Sequence, residues 1–261
     1  MLISEGIVIR ERPVGEQDKF IDILTKESGV VEVSVKGARK SASKSGSATQ
    51  LFAYSRFCLD MRGGRLYYNS AEPIHIFYDL RSSLTKLSLA SYFAEVVGDC
   101  IHPEAQSADV LRLFLNCLHF LENGKRSEAM LKAVFELRLM SEIGFMPDII
   151  MCRGCGAFEP EELFFCIDGG GFYCSDCYED EEDDLAMKVK KPVLLAVRHI
   201  VLTELRRTFN FRISDETMSV LSELAERYML CRLERGYRTL DFYKSIAGAK
   251  EEDNADTQIS E

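Results

Sequence analysis

The sequence predicts a multidomain α+β protein with a five-stranded β-barrel at its N-terminus, followed by a mainly helical domain with an inserted four-cysteine metal element. Three observations support this. Apolar and polar residues alternate over the first 78 residues, the apolar period becomes helical after Leu80, and two C-x-x-C pairs lie between residues 152 and 177. A chain of 261 residues is long enough to bury two cores.

Five strands are predicted in residues 1–78. Val31, Val33 and Val35 alternate with polar residues, and residues 57–62 show the same period of two. Similar runs cover residues 2–10, 20–26 and 65–77. Tight turns are expected at residues 27–29 and at the R-G-G-R hairpin, 62–65. Five short strands favour a closed barrel, because closure removes exposed strand edges.

The helical domain is predicted for residues 79–248, with the cysteine element at about 150–180. Four helical patterns support it, and their apolar positions are Leu111, Phe114, Leu115, Leu118 and Leu121; Met130, Val134 and Leu137; Leu194, Val197, Val201 and Leu205; and Leu221, Leu224, Ala225, Tyr228 and Cys231. Asn123-Gly124 is expected to end the first of these helices, and Ser214 to cap the last. Residues 249–261 are expected to form a disordered acidic tail.

Charge and motif content narrow the function classes. The formal net charge of −10 argues against a uniformly basic nucleic-acid-binding protein but leaves room for a local basic surface. No secretory signal pattern and no apolar run of membrane-spanning length is present, so a cytoplasmic protein without membrane contact is expected. No phosphate loop, dinucleotide fingerprint, nucleophile elbow or H-E-x-x-H motif occurs, which favours a protein that is not an enzyme.

Four cysteines are predicted to bind one structural zinc ion. Cys152 and Cys155 form one C-x-x-C pair and Cys174 and Cys177 the other, at a spacing typical of a four-cysteine zinc site. A hairpin at residues 164–173 is expected to bring the pairs together. Four thiolates leave no open position for water, so the site is not expected to be catalytic. Cys166 lacks a C-x-x-C partner and is interpreted as a spare cysteine.

An acidic segment flanks the cysteines. Residues 159–184 contain eleven acidic residues and no lysine or arginine. Such a surface repels phosphate, so the metal element itself is not expected to hold nucleic acid. A solvated loop and a docking patch for a basic partner both remain open.

A basic stretch lies upstream and is the predicted nucleic-acid-binding site. Between residues 36 and 65 one acid accompanies seven basic residues, which are Lys36, Arg39, Lys40, Lys44, Arg56, Arg62 and Arg65. The segment K-G-A-R-K-S-A-S-K-S-G-S-A-T-Q is too polar for a core, so a basic loop between strands three and four is expected. Tyr54, Phe57, Tyr67 and Tyr68 either offer stacking faces or fill the barrel, and filling the barrel is preferred for each.

The segment from Gly6 to Ser41 resembles the opening of the bacterial recombination mediator family RecO. The similarity lies in G-E-x-D after the first strand, the T-x-x-x-G turn and K-G-A-R-K, and it continues through the cysteine pairs to L-E-R-G-Y-R-T-L-D-F-Y-K-S-I at residues 233–246.

The resemblance implies an OB-fold barrel at residues 1–78 and a role in recombinational repair of damaged DNA. It further implies binding to single- and double-stranded DNA, annealing of complementary strands and association with RecR. With RecR, such a protein helps to load RecA onto DNA coated by single-strand-binding protein, which implies a nucleoid-associated location.

Two alternatives stay open on the residues alone. An OB-fold zinc protein that binds structured RNA in translation would use a similar basic loop. A thiol-dependent redox or hydrolytic enzyme would need a reactive or open-coordinated cysteine.

Overall fold

The computed structural model describes residues 1–38, 46–179 and 185–258, and the side chains up to residue 248. Its first five strands form a closed barrel in the order β1-β2-β3-β5-β4, which confirms the predicted barrel. Their bounds are β1 Leu2–Val14, β2 Asp18–Thr25, β3 Val30–Val35, β4 Ala53–Arg62 and β5 Arg65–Ile76. Closure depends on a short parallel pairing of β3 with β5, in which Val33 faces Leu66 and Ser34 faces Tyr67.

The alternation of apolar residues fills the barrel. Every second residue of β2 and β3, and of β4 as far as Leu59, points inward and is buried, since neighbouring side chains on a strand lie on opposite faces. The resulting core cluster consists of Val8, Ile21, Ile23, Val31, Val33, Val35, Phe57 and Leu59. Residues between them face outward and are available for contacts outside the barrel.

The T-x-x-x-G turn closes on itself through Thr25. Its backbone N–H and its hydroxyl both donate to the carbonyl of Gly29, at 2.9 and 2.8 Å. Gly29 has a φ of +64°, and a Cβ there would lie 2.0 Å from the carbonyl oxygen of His102. Only glycine is therefore compatible with this turn and its close backbone neighbour.

Two other short motifs of the N-terminal segment meet in space. The carboxylate of Asp18, in G-E-x-D, accepts a hydrogen bond of 2.7 Å from the N–H of Gly37, in K-G-A-R-K. The start of β2 therefore fixes the point at which the chain leaves β3, and Lys36 lies at that point.

Six α-helices follow in the described part of the chain. Their bounds are α1 Leu84–Cys100, α2 Ala108–Asn123, α3 Glu128–Glu142, α4 Lys191–Leu202, α5 Asp215–Leu233 and α6 Arg238–Gln258, and a 3-10 helix at Asp79–Ser82 precedes them. The predicted N-cap is confirmed, because the Ser214 hydroxyl accepts from the N–H of Thr217. Leu205 belongs to the predicted pattern of the α4 segment but lies beyond the end of that helix.

The chain forms two compact units. One consists of residues 1–123 and 237–261, and the other of residues 124–236. In the first unit α6 and the residue before it contact α1: the rings of Tyr92 and Tyr237 lie 6.0 Å apart, and Thr239 of α6 donates to the Glu95 carboxylate. This division differs from the sequence-based boundary at residue 78, which followed the change in secondary structure. The backbone of α6 reaches Gln258, in the segment for which the sequence predicted a disordered tail.

The second unit contains a small antiparallel sheet in the order β7-β6-β8. Its strands are β6 Glu162–Cys166, β7 Gly171–Cys174 and β8 Ala186–Lys190. The β6–β7 hairpin matches the predicted one, whereas β8 was not predicted. Among the helices of the described chain, none combines the length and the apolar character that crossing a membrane requires.

Candidate metal centre and nucleic-acid interface

The four predicted cysteines converge in the second unit. The sulfur atoms of Cys152, Cys155, Cys174 and Cys177 all lie within 4.8 Å of one another. The Sγ atoms of Cys155 and Cys174 are 3.7 Å apart. Tetrahedral thiolates around an ion at the usual Zn–S distance of about 2.3 Å are separated by about 3.8 Å, so this spacing fits a shared ion. The group can hold a metal ion through four sulfur donors.

Backbone donors favour the thiolate form of one ligand. The N–H groups of Gly154 and Cys174 point at the sulfur of Cys152, at 3.4 and 3.2 Å. Burial alone raises the pKa of Cys152, but backbone donors from Cys155, Cys174 and Gly154 outweigh burial and lower it to about 6. Hydrogen bonds shared with the Cys174 and Cys155 side chains raise the pKa of Cys177 to about 12. Since the thiolate is the metal-binding form, these backbone donors suit Cys152 to a role as a metal ligand.

Arg198 of α4 holds the loop that carries the first cysteine pair. Its Nε donates to the carbonyl of Ile149 at 2.7 Å, and its Nη2 donates to the carbonyls of Ile150 and Phe158 at 2.7 and 2.6 Å. The guanidinium also lies over the Phe158 ring, 4.1 Å from its centroid. These contacts bracket Cys152 and Cys155 on both sides. A helix of the second unit therefore positions the first pair of candidate metal ligands.

The glycine-rich turn between β6 and β7 is a packing surface as well as a turn. A Cβ on Gly171 would lie 2.3 Å from the Arg153 side chain, and one on Gly170 would lie within 2.9 Å of Tyr228 and Arg232. Arg153 also donates to the carbonyl of Gly169 at 3.0 Å. The hairpin therefore packs between the first cysteine pair and α5, and the absence of side chains makes this possible.

Part of the acidic flank is paired. Lys191 lies 3.1 Å from Glu159 and 3.4 Å from Glu161, and Lys188 lies 2.9 Å from Glu162. Both lysines come after residues 159–184, in which every charged residue is an acid. Residues 180–184 lie outside the described residues. The described acids at 159–162 are therefore partly neutralised.

The described members of the predicted nucleic-acid site separate into two places on the barrel. Lys36 and Arg62 each lie 5.8 Å from the ring centroid of Tyr67, one at the end of β3 and the other at the end of β4. Arg65 pairs with Arg62 across the β4–β5 hairpin. Arg39, Lys40 and Lys44 lie outside the described residues. Two cations therefore lie beside the Tyr67 ring, and Arg65 lies opposite one of them across the hairpin.

Arg56 lies elsewhere on β4, six residues before Arg62. Its Nη2 is 3.0 Å from the Glu5 carboxylate, which also accepts from Tyr54 at 3.0 Å. Hydrogen bonds from Arg56 and Tyr54 hold the pKa of Glu5 below its ordinary value. Burial and the hydrogen bond to Glu5 raise the pKa of Tyr54 to about 12. Arg56 and Tyr54 are thus engaged with an acid of β1.

The four candidate aromatic residues differ in their surroundings. Phe57 is 1% exposed and belongs to the barrel core, and Tyr68 packs against that core. Tyr67 faces outward, next to Lys36 and Arg62. Phe57 and Tyr68 therefore fill the barrel, whereas the ring of Tyr67 faces outward.

The second unit also contains a cavity of about 700 Å³. Lys125, Arg126 and Arg212 line it together with one acid, Asp215, and with the ring of Phe211. The cavity therefore combines positive charge with apolar surface. The sequence analysis did not single it out, because its residues come from two segments about 85 positions apart.

Comparison with known proteins gives a consistent family. The family model described as Recombination protein O N terminal matches residues 1–77, and Recombination protein O C terminal matches residues 81–241. A DNA repair protein RecO of Acetivibrio thermocellus is 35% identical over 246 residues, which cover 94% of this chain and 97% of the relative. The proteins of the same name from Symbiobacterium thermophilum and Caldicellulosiruptor saccharolyticus are 30% and 28% identical, over 94% and 93% of this chain and 98% of each relative.

Proposed function

The chain belongs to the RecO family of DNA repair proteins, and from this premise we propose that it is a recombination mediator without catalytic activity of its own. In this proposal it binds single- and double-stranded DNA in the cytoplasm, at the nucleoid, and anneals complementary strands. With RecR it helps to load RecA onto DNA coated by single-strand-binding protein.

The observation that carries the proposal is the position of Lys36 and Arg62 beside the outward ring of Tyr67, with Arg65 across the hairpin from Arg62. Cations track the phosphate backbone, and an aromatic face accepts a base, which together suit a nucleic-acid strand. The predicted loop residues Arg39, Lys40 and Lys44 follow Lys36 in sequence and add to this charge. Two predicted members are paired with acids, Arg56 with Glu5 at 3.0 Å and Arg62 with Asp60 at 3.2 Å, so both are expected to contribute less than Lys36.

A strand-annealing assay tests the function directly. Complementary strands coated with single-strand-binding protein are mixed with this protein, with and without RecR, and duplex formation is followed over time. We expect faster annealing with the protein present and a change in the annealing rate when RecR is added. Absence of annealing on both naked and coated strands would contradict the proposal.

The proposed DNA-binding residues have their own test. Changing Lys36, Arg39, Lys40 and Lys44 together to alanine should weaken binding and flatten its salt dependence. For each phosphate that the variant no longer neutralises, the slope should fall by about 0.7 on single strands and about 0.9 on duplex. Arg112→Ala is the matched control, because Arg112 is an exposed arginine of α2. An unchanged salt slope in the fourfold variant would count against the basic loop.

Competition between single-stranded DNA and structured RNA separates this proposal from the RNA-binding alternative. A recombination mediator should retain its single-stranded DNA when structured RNA is added in excess. Displacement of the DNA by the RNA would instead favour the role in translation.

We also propose that the four-cysteine group holds one structural zinc ion. Four thiolates with near-tetrahedral spacing suit zinc and leave no position for a substrate. Metal analysis of the purified protein should give one zinc per chain, with all four thiols protected from alkylation. Sub-stoichiometric metal with reactive thiols would instead favour the thiol-enzyme alternative.

The cavity of the second unit is our proposed binding site for a partner protein. Its three cations and the Phe211 ring suit an acidic segment that also carries apolar side chains. Arg212→Glu should weaken association with whichever of RecR or single-strand-binding protein supplies that segment, while DNA binding by the barrel remains. Retained association with both partners would remove the cavity from the proposal.

A further inference from the structure

Two neighbouring residues of β2 bind the two ends of the basic loop. Asp18, the acid that closes the G-E-x-D motif, binds the chain at Gly37, where it leaves β3. Lys19 binds the chain again at Thr49, shortly before β4 begins. The segment between these two points contains the predicted DNA contacts Arg39, Lys40 and Lys44. The loop therefore starts and ends on two adjacent residues of the barrel.

We propose that Asp18, Lys19 and Glu11 are positioning residues for this loop. They hold its two ends at one place on the barrel, and the affinity of the protein for DNA depends on that hold. The inference rests on the proposed function and gives the G-E-x-D motif a role that the DNA contacts alone leave unexplained.

The first end of the loop is fixed at Gly37. Its N–H donates to the carboxylate of Asp18 at 2.7 Å, and its φ of +63° lies in the left-handed region that favours glycine. A hydrogen bond to an ionised carboxylate is stronger than one between neutral groups. Asp18 therefore sets the direction in which the chain continues after Lys36.

The second end is fixed through the amine of Lys19. This residue is 9% exposed and lies on the same inward face of β2 as Ile21, and a buried ammonium group needs partners. Its Nζ donates to the carbonyl of Thr49 and to the carboxylate of Glu11, both at 2.7 Å. The same carboxylate accepts from the N–H of Leu51. One ion pair therefore holds the chain at two points, Thr49 and Leu51.

The second end is also packed into the first unit. Ala48 and Thr49 are 2% and 0% exposed, and the hydroxyl of Ser55 donates to the carbonyl of Ala48 at 3.3 Å. The carbonyl of Leu51 accepts from Arg81 at 2.9 Å. A shift of this end would break several of these contacts at once.

None of the three positioning residues is suited to bind phosphate itself. Asp18 and Glu11 are acids, which repel phosphate, and the Lys19 amine is buried and engaged. Any contribution that they make to DNA binding must therefore act through the position of the loop. Holding a segment near its bound conformation lowers the conformational entropy that binding costs.

The two acids give the test a clear sign. If they act only through their charge, replacing either with alanine removes a repulsive group, and the affinity for DNA should rise or stay the same. If they hold the loop, Asp18→Ala should lower the affinity about 5-fold, which corresponds to about 1 kcal/mol, the net contribution of a typical hydrogen bond. Glu11→Ala should lower it at least as much, because it removes the acceptor of Leu51 and the acid that pairs with Lys19.

The affinity of the full-length protein for a fluorescent thymidine oligonucleotide is measured by anisotropy, with thermal unfolding as the check on folding. Asp18→Asn is the conservative variant, because its side-chain oxygen can still accept from the N–H of Gly37. It should bind the oligonucleotide as the unmodified protein does. Glu16→Ala is the matched control, since Glu16 is an exposed acid of the same turn and is not among the residues that bond to the loop ends in the described chain. This change should not weaken binding.

Hydrogen exchange of single amides tests the hold without DNA. A hydrogen-bonded N–H exchanges only when its surroundings open. Asp18→Ala should therefore speed exchange of the Gly37 amide about 5-fold, the effect of one lost hydrogen bond, while Asp18→Asn leaves it unchanged. Glu11→Ala should speed exchange at Leu51 in the same way.

The outcomes separate the hold on the loop from the proposed function. If Asp18→Ala and Glu11→Ala both fold and bind the oligonucleotide at least as tightly as the unmodified protein, the positioning role is refuted while the proposed function stands. Equal losses of affinity in Asp18→Asn and Asp18→Ala would also refute it, because they would assign the loss to the charge. If Glu11→Ala does not fold, the two Asp18 variants decide alone.

A different result marks failure of the proposed function. If the unmodified protein does not bind DNA, the proposed function fails, and the role of the three residues in DNA affinity fails with it. Exchange at Gly37 and Leu51 then still shows whether they hold the loop ends.

Discussion

Replacing Arg198 tests whether α4 holds the metal ligands in place. We consider two changes, Arg198→Met, which removes the charge and all donors, and Arg198→Lys, which keeps the charge but not the planar set of donors. Lysine cannot match the fork of a guanidinium that reaches three carbonyls at once, so an intermediate effect is expected for it.

The size of the effect follows from the hydrogen bonds. Arg198 is 7% exposed, and its three hydrogen bonds to Ile149, Ile150 and Phe158 are 2.6 to 2.7 Å long. A buried carbonyl left without a donor costs about 1–3 kcal/mol. Ile150 and Phe158 are 43% and 57% exposed, so water can reach part of the loop after the change. For Arg198→Met we therefore expect the unfolding free energy to fall by about 3–5 kcal/mol rather than by the full sum.

Metal affinity is the more specific readout. Residues that support metal ligands without touching the metal typically change affinity by about 10- to 100-fold, and we expect Arg198→Met in that range. Zinc transfer to a chromophoric chelator measures the dissociation constant, and thermal unfolding of the metal-loaded protein measures stability.

Arg206→Met is the matched control, because Arg206 is exposed and paired only locally, with Glu204. Unchanged zinc affinity in Arg198→Met, in a folded protein, would refute the positioning role. An effect of equal size in Arg206→Met would show that the weakened zinc binding is not specific to the hydrogen bonds of Arg198.

Three further predictions concern stability. Cys174→Ser should abolish tight metal binding and lower the melting temperature of the second unit while DNA binding by the barrel is kept; metal analysis and calorimetry check this, and retained zinc would contradict it. Lys132 is buried, with its Nζ 3.1 Å from the fully buried Glu136 and 2.8 Å from Glu226. Lys132→Met should therefore lower the unfolding free energy, measured in urea, by about 3–5 kcal/mol. Adding Glu136→Leu to this variant should recover part of the lost stability. If the double variant is no more stable than Lys132→Met, an uncompensated buried charge is not the cause of the lost stability. The pKa of Glu5 is lowered in the folded protein, so its contribution to stability is complete above about pH 4.5 and is lost as the pH falls. Glu5→Gln should therefore flatten the acid side of the curve of stability against pH. An unchanged curve would show that the Glu5–Arg56 pair is not a source of the acid dependence.

Local patterns predicted the barrel, and they pointed to the four cysteines that converge in the structure. Alternation within a strand depends only on which face is buried, so it located all five barrel strands from adjacent residues. The two C-x-x-C pairs were sufficient to locate the four-cysteine cluster, because each pair is a local turn whose geometry brings two sulfur atoms together. The cap at Ser214 was predictable for the same reason.

Features that depend on distant pairing were not predicted. Strand β8 is five residues long and joins the sheet only through β6, which lies some twenty positions upstream. The hydrogen bonds of Arg198 join α4 to carbonyls about fifty positions earlier, and no local sequence pattern indicates them. Arg56 looked equivalent to Arg62 in sequence, yet its pairing with Glu5 depends on the register between β1 and β4.

The return of the chain to the first unit at residue 237 has a consequence for its synthesis on the ribosome. Helix α1 emerges early, but its contacts with Tyr237 and with Thr239 of α6 require residues made only after 124–236. At roughly 5–20 residues per second, that interval lasts on the order of 6–20 seconds. The second unit has a continuous sequence and can fold within this time, whereas α1 must wait with its Tyr92 face uncovered. We therefore expect nascent chains arrested before residue 237 to bind a chaperone through α1, and release of the chaperone to coincide with the emergence of α6.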